Sequence, residues 1–340
     1  MKIILDAMGG DNAPAAVVKG AVQACKELDT DIILVGREDE VSACLAECGA
    51  QGDSRITVVN ATEVVTMHDE ASMACRRKKD SSMTVALNML KNGEGDAVVS
   101  AGSTGALLTG ATLIVKRVRG IRRAAMGPVL PNGGKGVLLM DCGANVECTA
   151  EYLLQFAYMG AFYAEKIMGC KNPRVALLNV GTEDTKGGEL QKEAFALLTQ
   201  AKEAGRINFI GNAEGSDLFT GKMDVLVADG FAGNVMLKTV EGAAKFMFSQ
   251  LKGVMYGSLK NKLAALAIKK DLYAMKAMLD PSEVGGTAML GISKPVIKAH
   301  GSSDDRAIFN AVRQAIASVK ADVAGAIEEN IEFMKLEKET

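Results

Sequence analysis

With 340 residues, 48% hydrophobic and 24% charged, the chain has enough apolar content for a folded core, which excludes a disordered or low-complexity protein. A formal net charge of −2 excludes the global basic field of a nucleic-acid binder, so no nucleic-acid partner is expected. Seven scattered cysteines form no C-x-x-C pair and only two histidines accompany them, which argues against a disulfide framework or a structural zinc site.

No metal and no cofactor is expected, and no apolar run reaches the ~20 residues of a membrane-spanning helix. Free thiols, and a strand (K-I-I-L-D) where a signal peptide would stand, lead to the expectation of a cytoplasmic location. In chain order, the first strand (2–5) ends at Asp6 and runs into A-M-G-G-D-N-A-P. Gly9 and Gly10 permit a tight turn, and Pro14 suits the first turn of a helix through Val17, Val18, Ala21 and Val22. Asp6 stands where open α/β sheets place ligands, at the carboxyl end of a strand. The spacing is not G-x-G-x-x-G, so this is either a ligand-binding turn or a glycine turn with capping carboxylates. Strand 31–35, helix 38–48 and strand 56–59 follow, an alternation that predicts a mostly parallel sheet covered on both faces.

Arg76, Arg77, Lys78 and Lys79 form the first basic run, either a solvated face or a dock for an acidic partner. The stretch from Asp96 to Val115 reads as a buried strand (Ala97, Val98, Val99), a small-residue turn (Ser100, Gly102, Ser103, Thr104, Gly105) and a helix. That arrangement is either an anion site, with phosphate approaching unpaired N–H groups, or an ordinary Ser/Thr-capped helix. Lys116, Arg117, Arg119, Arg122 and Arg123 form the second basic run, more than helix capping needs; an acidic macromolecule or lipid headgroups are the favoured partner.

Strand 136–140 ends in D-C-G-A-N, with Asp141 and Asn145, and helix 150–168 carries Tyr152, Phe156, Tyr158 and Phe162 for the core. Strand 175–180 ends in a turn with Gly181, Thr182, Glu183 and Lys186; strand 207–210 ends in G-N-A-E-G; strand 225–228 ends in a turn with Asp229, Gly230, Gly233 and Asn234. Strand ends of one parallel sheet share an edge, so these turns are expected to converge on one crevice. Residues 235–280 read as helical, with a bend at Gly253 and Gly257 making a projecting helical hairpin of about 238–280. Met255, Leu259, Leu263 and Leu266 form one apolar stripe flanked by Lys260, Lys262, Lys269 and Lys270, fit for a core, a dimer partner or a membrane surface. A strand at 295–298 leads to His300, Gly301, Ser302 and Ser303 and a helix at 304–320, a second candidate anion site. One α/β domain over 1–340 is expected.

Assembled, the motifs L-D-A-M-G-G-D-N-A-P, R-R-K-K-D-S-S-M, S-A-G-S-T-G-A, N-V-G-T-E, D-G-F-A-G-N-V and H-G-S-S-D resemble, in order, the PlsX family of phosphate acyltransferases. The resemblance implies transfer of a long-chain acyl group from acyl carrier protein to inorganic phosphate, giving acyl phosphate for phospholipid synthesis. It also implies a homodimer, peripheral association with the inner face of the cell membrane, and a downstream acyl-phosphate:glycerol-3-phosphate acyltransferase. A more distant resemblance to phosphotransacetylases implies a three-layer α/β/α fold shared with isopropylmalate dehydrogenase-like proteins. At the last turn this chain has His300 and Asp304-Asp305-Arg306 where phosphotransacetylases carry an Arg and a later Asp, so their base does not transfer.

The expected catalytic residues are His300 as acid or base, Lys186 as a phosphate clamp or nucleophile, and Asn234. Asp6, Gly9, Gly10, Ser103, Thr104, Gly105, Asn145, Glu183, Asp229, Gly301, Ser302 and Ser303 are expected to shape the substrate site. The basic runs are expected to dock the carrier protein, and Leu259, Leu263 and Leu266 to meet the membrane. The competing readings are a non-catalytic phosphate- or acyl-binding scaffold of lipid synthesis and a dehydrogenase of similar architecture, the latter disfavoured by the missing dinucleotide fingerprint.

Overall fold

A computed structural model describes residues 1–272, 275 and 285–334. Its strands are divided over two sheets rather than gathered in one. The first holds β1 (Lys2–Asp6), β2 (Asp31–Gly36), β3 (Ile56–Asn60), β4 (Ala97–Ser100), β5 (Ala125–Gly127), β11 (Thr287–Leu290) and β12 (Val296–Lys298), in the order β3-β2-β1-β4-β12-β11-β5. The second holds β6 (Val129–Leu130), β7 (Val137–Met140), β8 (Arg174–Leu178), β9 (Asn208–Ala213) and β10 (Val225–Val227), in the order β6-β7-β10-β8-β9. Among the described residues antiparallel pairing is confined to three ladders, β5–β11, β11–β12 and β6–β7, and β5, β6 and β11 are each at most four residues long. The chain crosses between sheets at Pro128, which has no N–H to continue a ladder.

Strand alternation explains the layers. Ile3, Leu5 and Val99 face a core that includes α1 (Ala15–Glu27) and the helix from Asp305 to Ala321, whereas Ile4 and Val98 face α4 (Ser82–Asn92). In the second sheet Leu138, Met140, Val175 and Val227 share that first core with α6 (Ala150–Lys166) and α7 (Glu189–Glu203). Between α1 and α4 lie α2 (Glu38–Glu47) and α3 (Ala74–Arg77), and α5 (Thr104–Gly110) follows β4. Of the predicted core aromatics, Phe156 and Tyr158 are buried, while Tyr152 and Phe162 pack partly buried against the same cluster.

After β10 come α8 (Gly230–Tyr256) and α9 (Leu259–Ala267), then α10 (Asp305–Ala321) and α11 (Val323–Glu329). Of α8 and α9 only Gly230 and Gly233 are buried. Gly233 lacks a Cβ for a steric reason: one would collide with the Asp141 carbonyl oxygen, so glycine lets the start of α8 lie against the turn after β7. The helical run breaks at Gly257, and Ser258 Oγ caps α9 by accepting from Asn261 N–H at 3.1 Å. Gly253, expected at the bend, lies inside α8. Residues 276–280, the far end of the expected hairpin, lie outside the described residues. No helix among the described residues is long and apolar enough to cross a membrane.

Candidate active site

Sheet order brings three of the predicted turns together. β1, β4 and β12 are adjacent and parallel, with Leu5 opposite Val99 and Lys298 opposite Ser100, so the turns after them emerge side by side. Asp11 N–H donates to the Gly301 carbonyl at 2.8 Å, and Asn12 Nδ2 donates to the Ser302 and Ser303 carbonyls at 3.2 and 3.1 Å. Gly10 occupies the seam at φ +102°, where an added Cβ would lie 2.9 Å from Ala101 Cβ and 3.0 Å from Gly301 O. Gly9 lies against Asp6 and the Gly102 amide.

Asp6 is buried beneath these turns. Its Oδ1 accepts from Ser82 Oγ at 2.5 Å and its Oδ2 from Ser100 Oγ at 2.6 Å, while Gly102 N–H donates to Ser100 Oγ at 3.1 Å. Burial pushes the carboxyl pKa up, against those hydroxyls and the positive charge of Lys298. Both Asp6 oxygens are thus engaged in holding the turn. Ser103 stands at the N-cap of α5 with no capping bond from its side chain, and Ser103, Thr104 and Gly105 are partly exposed beside the seam.

In the third turn Asp304, not a serine, caps α10 by accepting from Ala307 N–H at 2.9 Å. Ser302 and Ser303 therefore lie in the turn before the helix, and the Ser303 hydroxyl is buried without a partner among the described residues. The exposed His300 accepts at Nδ1 from Ser302 N–H at 3.3 Å, and Ser302 Oγ lies 2.9 Å from the same nitrogen. A ring nitrogen that accepts from an N–H carries no proton, so the neutral ring is protonated at Nε2. Partial desolvation by the neighbouring turn and α8 lowers the His300 pKa although the ring keeps an exposed edge, and the positive charge of Lys238 lowers it further, which favours that neutral form.

A second group gathers at the carboxyl ends of β7, β8, β9 and β10. Asp141 is fully buried; its carboxylate accepts from the N–H groups of Met126, Cys142, Ala144 and Asn145 and from Asn145 Nδ2, at 2.7–3.4 Å. Met126 belongs to the first sheet, so this carboxylate ties the two sheets together. Burial raises the Asp141 pKa against the pull of those donors. Asn145 also donates to the Ala124 carbonyl at 2.9 Å, which commits its amide to the frame. Asp229 caps α8 through the N–H groups of Phe231 and Ala232, and Asn234, exposed on α8, lies 3.6 Å from the position a Cβ would take on Gly143. Asn179 and Asn212 hold the next loop by donating to the Lys186 and Glu183 carbonyls. The side chains of Lys186 and Glu183 point outward as an exposed ion pair, 3.8 Å apart, without the burial that a nucleophilic lysine needs. Cys142 and Cys148 are poor thiolates, since burial raises Cys142 strongly and Cys148 to about 11. Lys238 and Glu241 act electrostatically on both Cys142 and His300, which places α8 alongside both groups of turns.

Within the first basic run Arg76, Arg77 and Lys79 are exposed. Lys78 instead donates to Asp69 at 2.7 Å and to the Val64 carbonyl at 2.8 Å. Lys78, and then Thr66, lower the Asp69 pKa from 3.8 to about 2. A carboxyl depressed on folding stabilises fully above its unfolded value and loses that contribution as pH falls through the folded one. Protection of the amides across 62–80, the segment that places Ala71 against Gly105, taken relative to the intrinsic exchange rate at each pH, should therefore fall between about pH 4 and pH 2 before the strands of the sheets open. Unchanged protection there would show that this ion pair does not hold the segment. In the second run Arg119, Arg122 and Arg123 are exposed; Arg122 pairs with Glu151 at 3.0 Å and Arg123 stacks over Tyr152.

Two participants escaped the sequence reading. Ser82 reaches Asp6 from α4, and Lys298 closes β12 as a buried cation. The available signal for Lys298 was a lysine ending an apolar strand two residues before the candidate histidine.

The comparisons bear on this frame. Residues 1–326 match a family model described as fatty acid synthesis protein. A phosphate acyltransferase of Oceanobacillus iheyensis is 48% identical over 341 residues, covering 100% of both chains. One of Bacillus licheniformis is 49% identical over 334 residues, covering 98% of each. Among solved structures, a phosphotransacetylase from Streptococcus pyogenes has a TM-score of 0.64 at 19% identity, covering 96% of this chain and 94% of its own, which shows a shared fold. Identity near one half along the whole length leaves no segment unaccounted for, and the chain belongs to the PlsX family of phosphate acyltransferases.

Proposed function

We propose that this enzyme, an acyltransferase acting on phosphate for phospholipid synthesis, takes a long-chain acyl group from acyl carrier protein and releases acyl phosphate from the seam between turns 100–105 and 299–303. The observation that supports the reading is the adjacency of β4 and β12, from which two small-residue turns emerge side by side, one starting at an uncapped Ser103 and the other carrying the buried Ser303 hydroxyl. A phosphate oxygen attacks the thioester carbonyl carbon, the carbon–sulfur bond breaks, and the carrier thiolate leaves. The dianion has no need of a base, so the chemical demand falls on positioning and on the oxyanion. His300, neutral and protonated at Nε2, suits the oxyanion better than it suits proton abstraction. Asn234 and Lys186 are proposed to act from the opposite group, Asn234 as a polar contact and Lys186 as a point charge on phosphate.

Purified protein incubated with acyl–acyl carrier protein and phosphate should yield acyl phosphate, trapped as the hydroxamate. Absence of product, with vesicles present, would favour the non-catalytic scaffold instead.

The exposed basic residues of 76–79 and 119–123 support docking of the acidic carrier protein, and the product's lipid character supports a peripheral membrane position at the inner face of the cell membrane. A homodimer and hand-over of acyl phosphate to a glycerol-3-phosphate acyltransferase complete the proposal. Leu259, Leu263 and Leu266 are 75%, 62% and 67% exposed, so core packing does not occupy them. Replacing Leu263 and Leu266 together by Glu should weaken vesicle co-sedimentation at least about tenfold while leaving the thermal midpoint unchanged. Undiminished vesicle binding would assign the stripe to a dimer partner.

A further inference from the structure

Lys298 has no place in the chemistry above, yet among the described residues it is the only buried lysine, and it ends β12 between the two proposed phosphate turns. It is 7% exposed, and its Nζ donates to the Ala101 carbonyl at 3.2 Å and to the Ala299 carbonyl. Those two carbonyls belong to the peptide units that begin the turns, Ala101–Gly102 and Ala299–His300. A trans peptide is planar, with its N–H directed opposite its C=O. One ammonium holding both carbonyls therefore fixes the orientation of both units: the Gly102 N–H is directed to Ser100 Oγ, locking the first turn on the Asp6 network, and the His300 N–H is directed away from the ammonium. Ala299 N–H also donates to the Ser100 carbonyl at 2.9 Å, so the units are joined from both sides.

A buried lysine is costly unless something compensates for lost water. Asp6 and Asp11 supply opposing charge, but Asp6 spends both oxygens on Ser82 and Ser100, and the hydrogen bonds of Lys298 go to the turns. Burial pulls the Lys298 pKa down to about 8, with Asp6 and Asp11 resisting and Lys238 adding to the fall. A cation kept at that cost for strand packing alone would be better replaced by Met or Leu.

We propose that Lys298 is a positioning residue that couples the 100–105 and 299–303 turns into one phosphate site. The inference rests on the reading that phosphate binds between those turns. Its test is binding of inorganic phosphate by calorimetry, together with separate KM values for phosphate and acyl–acyl carrier protein. In Lys298→Met the phosphate Kd and phosphate KM should rise about 10- to 100-fold, the scale expected for losing the alignment of a hydrogen bond to a charged ligand. The KM for the acyl donor should stay within about twofold, a split that a general loss of structure would not produce. Should Lys298→Met leave Asp6 uncompensated and the protein poorly folded, Asp6→Asn/Lys298→Met removes both charges and should show the same weak phosphate binding. Wild-type phosphate affinity in the folded variants would overturn the coupling while leaving the two-turn site in place. No saturable phosphate binding by the wild-type protein would overturn the site itself, and the coupling with it.

Discussion

His300→Ala is expected to lower kcat by roughly 10²–10³-fold, the usual cost of removing one donor from an oxyanion site. Two observations set this size. Ser302 N–H fixes the ring by donating to Nδ1, which leaves Nε2–H as the free donor, and partial desolvation together with the Lys238 charge favours the neutral ring. A neutral imidazole surrenders its remaining proton with difficulty, so it serves best by hydrogen-bonding to developing charge. His300→Gln separates the roles: an amide N–H can replace a donor but not a titrating base. Partial recovery of kcat in the Gln variant, with a pH profile resembling that of wild type, supports the donor role. An Ala variant with near-normal turnover would remove His300 from the chemistry.

Asp141→Ala is expected to have the largest effect on stability, a loss of more than about 3 kcal/mol in denaturant unfolding. Its carboxylate accepts from four backbone N–H groups, three of them at 2.7–2.8 Å, and each buried donor left without an acceptor costs about 1–3 kcal/mol. Some water will enter the space left behind, which is why the full sum is not expected. Because Met126 lies in β5 of the first sheet and the other donors follow β7 of the second, the loss should also loosen the sheets relative to each other. Activity should fall alongside stability, since the same turn lies beside Asn234. A loss below about 1 kcal/mol would mean that solvent satisfies these amides and that the carboxylate is dispensable to the frame.

The strand–turn–helix rhythm was legible because parallel strands buried on both faces read as short apolar runs, and β1, β2, β4, β7 and β12 all do. Their division into two sheets was not, because partner choice is non-local: β4 pairs with β12 nearly two hundred residues later. β5, β6 and β11 are too short for any period to register. At the site, glycine and hydroxyl residues marked the turns at 9–10, 100–105 and 300–303, since few other residues permit such backbone. Lys298 was hidden because a lone lysine at a strand end reads as a solvated terminus until the neighbouring strand is known. Asp229 and Asn145 were legible as polar turn residues; the Asp229 bonds to the α8 amides are a local N-cap, whereas the Asn145 bond to the Ala124 carbonyl depends on tertiary placement.

The central claim is that a phosphate oxygen forms the new bond to the acyl carbonyl carbon. Incubation with acyl–acyl carrier protein and phosphate carrying 18O at every oxygen, followed by mass spectrometry of the acyl phosphate, tests it without any substitution. Attack by a phosphate oxygen on carbon predicts acyl phosphate that retains the whole label, its bridging oxygen included, with one carrier thiol released per acyl phosphate formed. Acyl chains remaining on the carrier, or appearing only as free fatty acid, would contradict it.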